Sequence, residues 1–91
     1  MLIALIARDK PGALETRLAN REAHLAYAAD SGVTVKYGGP MLDDQGQMCG
    51  SLLILEVETM AQAQDFAAND PYARAGLFQS VELIQWKQVI G

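Results

Sequence analysis

The chain has 91 residues, of which 51% are hydrophobic and 20% are charged, and its formal net charge is −4. These proportions are typical of one globular domain, here residues 1–91, and argue against a disordered chain. The acidic balance, with no run of Lys or Arg, argues against nucleic-acid binding.

The cysteine content and the N-terminal residues predict where the protein resides. Cys49 is the only cysteine, so no internal disulfide can form and a reducing cytoplasm is expected. The apolar run Met1–Ala7 follows no basic segment, and Arg8 interrupts it after seven residues. Such a run is too short for a signal peptide or a membrane span. We therefore expect a cytoplasmic protein that does not enter a membrane.

The first part of the chain predicts a strand followed by a helix. Leu2–Ala7 is a short apolar strand that ends in a charged turn. Ala13–Asp30 is rich in good helix formers, and Gly32 is placed to end the helix in the left-handed conformation. The expected buried stripe of this helix consists of Leu14, Leu18 and Leu25.

The remaining elements are predicted from alternation and from turn residues. They are strands over Val33–Tyr37, Ser51–Glu58 and Ser80–Val89, and a helix over Met60–Asn69. The first of these strands should close at Gly38-Gly39-Pro40, and Asp43 and Asp44 should form a solvated hairpin tip. Thr59 is a suitable N-cap for the second helix, and Pro71 should stop it and open a short turn or 3₁₀ segment over 71–76.

The order β-α-β-β-α-β predicts an α+β fold with a four-stranded antiparallel sheet and both helices on one face. The first and third strands should lie at the centre of that sheet. Both are apolar on their two faces, whereas a sheet with one wet face alternates apolar and polar residues. Because the helices cover one face only, we expect a homodimer or a higher homo-oligomer.

His24, the only histidine, is the first residue that suggests chemistry. It lies on the flank of the first helix near Arg17 and Arg21. If it has no catalytic role, it is simply a polar residue at the edge of the core. Asp70 and Tyr72 follow the second helix on the same face of the fold, so His24 and Asp70 could meet. An Asp that holds an imidazole fixes the tautomer that a general base requires.

Other candidate sites have weaker support in the sequence. Gly38-Gly39-Pro40 is either a strand-ending turn or a backbone segment that leaves room for a ligand. Ser51 lacks the context of a nucleophile elbow, and Cys49 is expected to be a small buried side chain. One histidine and one cysteine are too few for a zinc site, so no metal is expected. No phosphate loop or dinucleotide fingerprint is present, so no cofactor is expected.

These residues together resemble a known family. The segment Arg21-Glu22-Ala23-His24-Leu25 resembles the Arg-x-x-His-Leu segment of YciI-like (YCII-related) proteins. Gly39-Pro40, Gly50-Ser51 and Asp70-Pro71-Tyr72 also match that family, and the spacing fits nearly the whole chain. One departure is Glu22, where many members have Pro, so the helix here should run unbroken into His24.

The resemblance implies a ferredoxin-like dimeric α+β barrel with a His24–Asp70 pair in a cleft near the dimer interface. One branch of the family is similar to enzymes that eliminate halide from chlorinated hydroxyquinols, and neighbouring muconolactone-isomerase-like barrels shift protons on small cyclic acids. A lyase or isomerase acting without a cofactor on a small anionic or phenolic molecule is therefore expected. The candidate substrate-binding residues are Arg17, Arg21, Gly39, Pro40, Ser51 and Tyr72.

Two other functions fit the same sequence. The chain could be a non-catalytic ligand-binding or accessory domain, with the same pocket but no chemistry. It could also be a purely structural oligomer-forming domain, which predicts no pocket beside His24.

Overall fold

The computed structural model describes residues 1–91 and contains the predicted elements, with one short helix added before the last strand. The elements are β1 (Leu2–Asp9), α1 (Leu14–Asp30), β2 (Thr34–Leu42), β3 (Met48–Glu56), α2 (Met60–Asn69), α3 (Pro71–Arg74) and β4 (Phe78–Trp86). The strands form one antiparallel sheet in the order β2-β3-β1-β4. The ferredoxin-like α+β fold is thus confirmed, with β1 and β3 at the centre of the sheet. No helix has the length and apolarity needed to cross a membrane.

The prediction that β2 ends at Gly38-Gly39-Pro40 was wrong, because these residues lie inside the strand, which continues to Leu42. Pro40 is compatible with this position since β2 is an edge strand, where proline is tolerated. The other two strands are displaced from their predicted ranges: β3 is Met48–Glu56 rather than Ser51–Glu58, and β4 is Phe78–Trp86 rather than Ser80–Val89.

The ends of the helices follow local signals in the sequence. Gly32, with φ of 82°, lies just beyond the C-terminus of α1 in the predicted left-handed conformation. The hydroxyl of Thr59 accepts a hydrogen bond from the backbone N–H of Gln62 at 3.3 Å and caps α2 as predicted. Pro71 stops α2, but the next residues form the helix α3 rather than a turn or 3₁₀ segment.

The core fills the face of the sheet that the helices cover. Its buried residues come from both central strands, from the residue directly after β3, and from α2: Ile3, Leu5, Ala7, Leu53, Leu55, Val57, Ala63 and Phe66. The strand members alternate along β1 and β3, because successive side chains of a strand point to opposite faces. Burial of one large side chain such as Phe66 stabilises the fold by about 2–3 kcal/mol.

The buried stripe predicted for α1 was wrong. Leu14 is only partly buried, and Leu18 and Leu25 are 50% and 56% exposed. The buried residues of α1 are Arg17 and His24, which lie two helical turns apart on the same face. Polar side chains thus occupy the inner face of this helix, which is possible because each has a carboxylate partner inside the molecule.

The opposite face of the sheet, here called the outer face, is also apolar, as predicted. Leu52, Ile84 and Trp86 lie on this face, and they are 44%, 49% and 41% exposed. They pair with Ile6, Ala4 and Leu2 of β1, which alternate with the core residues of that strand. No element of the chain covers this face.

Candidate active site

His24 projects from α1 towards Asp70, the residue that separates α2 from α3. Its Nδ1 lies 3.0 Å from each of the two carboxylate oxygens. An ionised carboxylate can only accept hydrogen bonds, so Nδ1 carries a hydrogen, and in the neutral imidazole Nε2 keeps a lone pair. His24 is 8% and Asp70 is 3% exposed, so the pair is almost withdrawn from water.

The local sequence explains the position of Asp70. Pro71 disfavours helical backbone in the preceding residue, and Asp70 is extended with φ of −60° and ψ of 132°. One of its carboxylate oxygens accepts a hydrogen bond from the backbone N–H of Tyr72 at 2.9 Å and so caps α3. The same carboxylate therefore starts a helix and binds His24.

Tyr72 lies against both His24 and Arg17. Its ring is stacked on the imidazole with centroids 4.1 Å apart, and Cζ of Arg17 lies 4.7 Å from the centroid of the phenol ring. Burial raises the pKa of Tyr72, although the positive charges of Arg17 and Arg21 oppose that rise. The hydroxyl therefore stays protonated at neutral pH and can donate a hydrogen bond.

Arg17 is bound inside the protein. Its Nε and Nη2 donate to the two carboxylate oxygens of Asp9 at 2.7 and 2.9 Å, and Nη2 also donates to Oγ of Ser51 at 2.8 Å. Burial lowers the pKa of this guanidinium, but the hydrogen bonds and charge of Asp9, together with Tyr72, outweigh burial and raise it overall. Arg17 is therefore a fixed cation that joins α1 to β1 and β3.

A cavity of about 310 Å³ opens beside His24, near the lower end of the roughly 300–1,000 Å³ usual for small-molecule sites. Seven of the predicted site residues line it: Arg17, Arg21, His24, Gly39, Pro40, Ser51 and Tyr72. Asp70 is not in the lining and lies behind His24. The lining residues that were not predicted as site residues are Leu25, Ala28, Val35, Gly38, Met48 and Leu53. Apolar side chains thus face a small set of polar groups, as in a ligand pocket.

A bulge in β2 determines which glycine of this strand lies against Leu53. The register of β2 against β3 shifts between Val35 and Tyr37, so Gly38 is paired with Leu53 and shares its face. A Cβ at Gly38 would lie 2.6 Å from Cδ2 of Leu53, whereas a Cβ at Gly39 would meet nothing within 4 Å. A side chain at position 38 would therefore require the end of the Leu53 side chain to move, whereas Gly39 borders the cavity without being sterically constrained.

Asp9 and Cys49 are placed differently from what the sequence predicts. Asp9 belongs to the charged segment after Leu2–Ala7 that predicts a turn, yet its side chain is 5% exposed and pairs with Arg17. The alternation of β1 is the signal that finds it, because Asp9 follows Ala7 by two residues on the core face. Cys49 was expected to be buried and is exposed, since the register of β3 shifts beside it.

The chain is similar to known proteins in both sequence and structure. The YCII-related domain matches residues 1–87. Protein YciI of Escherichia coli is 38% identical over an alignment of 97 residues, gaps included, which covers 98% of this chain and 99% of that protein. An uncharacterized protein of Haemophilus influenzae is 35% identical over 97 residues with the same coverage.

Among solved structures, 5-chloro-2-hydroxyhydroquinone dehydrochlorinase from Burkholderia phenoliruptrix, in complex with 2,5-dihydroxybenzoquinone, superposes with a TM-score of 0.85. It is 37% identical, and the match covers 96% of this chain and 94% of that chain. An antibiotic biosynthesis monooxygenase with a TM-score of 0.58 is 14% identical and covers 97% of this chain and 100% of its own, which shows a common fold alone. The domain match and the relatives of 35% and 38% identity along nearly the whole chain show that this protein belongs to the YCII-related family.

Proposed function

We propose that this protein is an enzyme of the lyase or isomerase type that acts on a small phenolic or anionic molecule, with His24 as its general base. The observation that carries the proposal is the contact of His24 Nδ1 with both oxygens of Asp70 at 3.0 Å. This contact leaves Nε2 as the ring nitrogen available to a ligand in the cavity. A general base needs such a lone pair in a fixed direction within reach of the substrate.

The chemistry follows from proton transfers at His24. When Nε2 takes a proton from a ring hydroxyl and returns it to a ring carbon, a double bond moves and a keto tautomer forms, which is the outcome of an isomerase. Where that carbon bears a halogen, removal of a second hydroxyl proton by Nε2 expels the halide and leaves a quinone, so the ring loses hydrogen halide overall, which is the outcome of a lyase. His24 then becomes an imidazolium, which the carboxylate of Asp70 stabilises. The neutral hydroxyl of Tyr72 can donate a hydrogen bond to an oxygen of the substrate.

The likeness to the Burkholderia dehydrochlorinase supports a phenolic substrate. That enzyme was crystallised with a compound of one six-membered ring, and the two chains are 37% identical over almost their full lengths. The cavity of about 310 Å³ beside His24 has room for one substituted ring. A purely structural domain has no need of a cavity lined by an imidazole and two arginines.

Turnover of 5-chloro-2-hydroxyhydroquinone tests the proposal, with chloride release and the absorbance of the ring as readouts. We expect release by the wild type, and a fall of kcat/KM by about 10²-fold or more in His24→Gln and in Asp70→Asn. Asp44→Asn removes the same charge as Asp70→Asn from the exposed hairpin between β2 and β3, and it should retain wild-type turnover. Unchanged rates in both site variants would refute the role of the pair.

The alternative function is a non-catalytic ligand-binding or accessory domain. It predicts that halogenated hydroxyquinols, unsubstituted hydroxyquinols and small lactones bind to the wild type without being consumed. Saturable binding without turnover of any of these compounds would therefore favour the alternative over an enzyme.

A further inference from the structure

We infer that Arg21 is the residue that selects anionic ligands for the cavity, and that Arg17, its neighbour, has no part in that selection. The ligand class is a single aromatic ring that bears a carboxylate or an ionised hydroxyl group. The inference rests on the proposed function in one respect, namely that the cavity beside His24 is where the substrate binds.

The lining of the cavity is positively charged although the chain is acidic. None of its 13 residues is Asp or Glu, whereas the whole chain has a formal net charge of −4. The charged side chains in the lining are Arg17 and Arg21, and His24 adds a third positive charge when protonated. A concave surface with charges of one sign concentrates ligands of the opposite sign.

Arg17 is already paired within the protein. Asp9 occupies its Nε and Nη2, Nη2 also reaches Ser51, and the residue is 3% exposed. The carboxylate of Asp9 therefore offsets the charge of Arg17 at short range. Asp70 offsets the charge of a protonated His24 in the same way. Neither group is left to balance the charge of an incoming anion.

Arg21 differs in each of these respects. It is exposed, it lines the cavity, and it forms no ion pair with another residue of the chain. It lies three residues before His24 and four after Arg17, and such spacings place side chains next to one another on a helix.

The position of Arg21 also brings a bound anion close to the proposed base. Burial raises the pKa of Tyr72, and the charge of Arg21 opposes that rise together with Arg17, so Arg21 acts on the side chain that stacks on His24. A guanidinium can bind a carboxylate through two parallel hydrogen bonds and so orient it. The rest of the ring would pack on the apolar lining, which includes Leu25, Val35 and Leu53.

Binding of 2,5-dihydroxybenzoate and of hydroquinone tests the inference, because these compounds share one ring and differ by a carboxylate. Calorimetry gives the affinities, and perturbation of the His24 ring signals in NMR spectra locates the ligand in the cavity. We expect the wild type to bind 2,5-dihydroxybenzoate about tenfold or more tightly than hydroquinone. Arg21→Gln should abolish this preference and leave the affinity for hydroquinone unchanged. Lys87→Gln makes the same change in net charge beyond the end of β4 and should preserve the preference.

Three results would overturn the inference: no binding of either compound at millimolar concentration, no preference in the wild type, or a preference that Arg21→Gln keeps. An equal loss in Lys87→Gln would overturn it as well, because net charge rather than Arg21 would then explain the effect. Because the experiment measures binding, its result does not depend on whether the protein catalyses a reaction. A preference that depends on Arg21, in a protein that consumes no phenol, would uphold this inference and refute the proposed enzyme.

Discussion

The imidazole of His24 is stacked on the ring of Tyr72 with centroids 4.1 Å apart and 14° between the two planes. Both residues are buried and they come from different helices, α1 and α3. The carboxylate of Asp70 fixes one edge of the imidazole, and the stacked phenol ring fixes its plane. Together they fix the direction of the Nε2 lone pair, which is the property that proton transfer requires.

Two substitutions of Tyr72 distinguish the contribution of its ring to catalysis from that of its hydroxyl. Tyr72→Phe keeps the stacked ring, whereas Tyr72→Leu removes it and leaves the imidazole of His24 free to tilt. We expect Tyr72→Leu to lower kcat on the order of 10²-fold, and Tyr72→Phe to lower it much less, because misplacement of a catalytic group by about 1 Å has that effect. Steady-state kinetics of chloride release gives the comparison, and equal losses in the two variants would show that the stacking is unimportant.

The stability of the protein should fall at alkaline pH. Burial is the main reason why the pKa values of Tyr27 and Tyr72 are raised in the folded chain. Unfolded tyrosine ionises near a pH of ~10, so above that pH the folded state binds more protons than the unfolded state, and the free energy of unfolding decreases as pH rises. Urea unfolding between pH 9 and pH 11 should show this slope, and Tyr72→Phe should reduce it. Tyr37, which is 63% exposed, provides the control variant Tyr37→Phe, and an equal slope change there would contradict the explanation.

Asp9→Asn should destabilise the protein strongly, because Arg17 would be left as a buried cation without its counter-ion. The side chains of Arg17 and Asp9 are 3% and 5% exposed, and the loss of one partner from such a pair costs about 3–5 kcal/mol. The pair Arg8–Glu82 is a matched control, since its side chains are 55% and 49% exposed and Glu82→Gln should cost about 0–1 kcal/mol. Urea unfolding measures both variants, and similar losses would show that burial of the Arg17–Asp9 pair is not decisive.

Gly50 is the glycine for which the sheet leaves least room. A Cβ at this position would collide with the backbone oxygen of Ala7 and with the methyl group of Met41. Gly50→Ala should destabilise the protein by about 1–3 kcal/mol because the backbone of β1 must move, whereas Gly39→Ala should be tolerated. Thermal unfolding of the two variants tests this difference, which disappears if β1 can shift at no cost.

We propose that a second copy of the chain covers the outer face of the sheet. Leu52 and Ile84 are 44% and 49% exposed there, next to Trp86, and no helix lies over them. Sedimentation should show a dimer at micromolar concentration, and the double variant Leu52→Glu/Ile84→Glu should be a folded monomer, since two buried charges oppose association. Leu18→Glu, on the exposed side of α1, should leave the dimer intact. A wild type that is monomeric at high micromolar concentration would contradict the proposal.

The features that the sequence predicted correctly depend on local signals or on strong apolar runs. The bounds of α2 were predicted as Met60–Asn69, because Thr59 caps the helix and Pro71 ends it. The central position of β1 and β3 followed from the β-α-β-β-α-β order, and the unbroken apolar character of both strands agrees with it. The meeting of His24 and Asp70 was predictable as well, since the topology brings the first helix and the end of the second to one face.

The features that were missed depend on partners distant in the sequence. Arg17 is buried because Asp9 and Ser51 bind it, and a helical pattern that counts leucines contains no information about those partners. The side of β2 that faces the cavity depends on the bulge between Val35 and Tyr37, which has no signature in the composition of the strand. For α1 the predicted face was wrong, and for β2 the sequence made no prediction of the face.

Because Asp70 both binds His24 and caps α3, the geometry of the active site depends on the length of α2. One residue added to or removed from this helix would turn the carboxylate by about 100° about the helix axis and shift it by about 1.5 Å along it. The bond to His24 and the cap of α3 would then be lost together. Insertions and deletions within Met60–Asn69 should consequently reduce activity and stability more than substitutions on the solvent side of the same helix. The reason is that the ten residues of this helix set the position of Asp70 relative to His24.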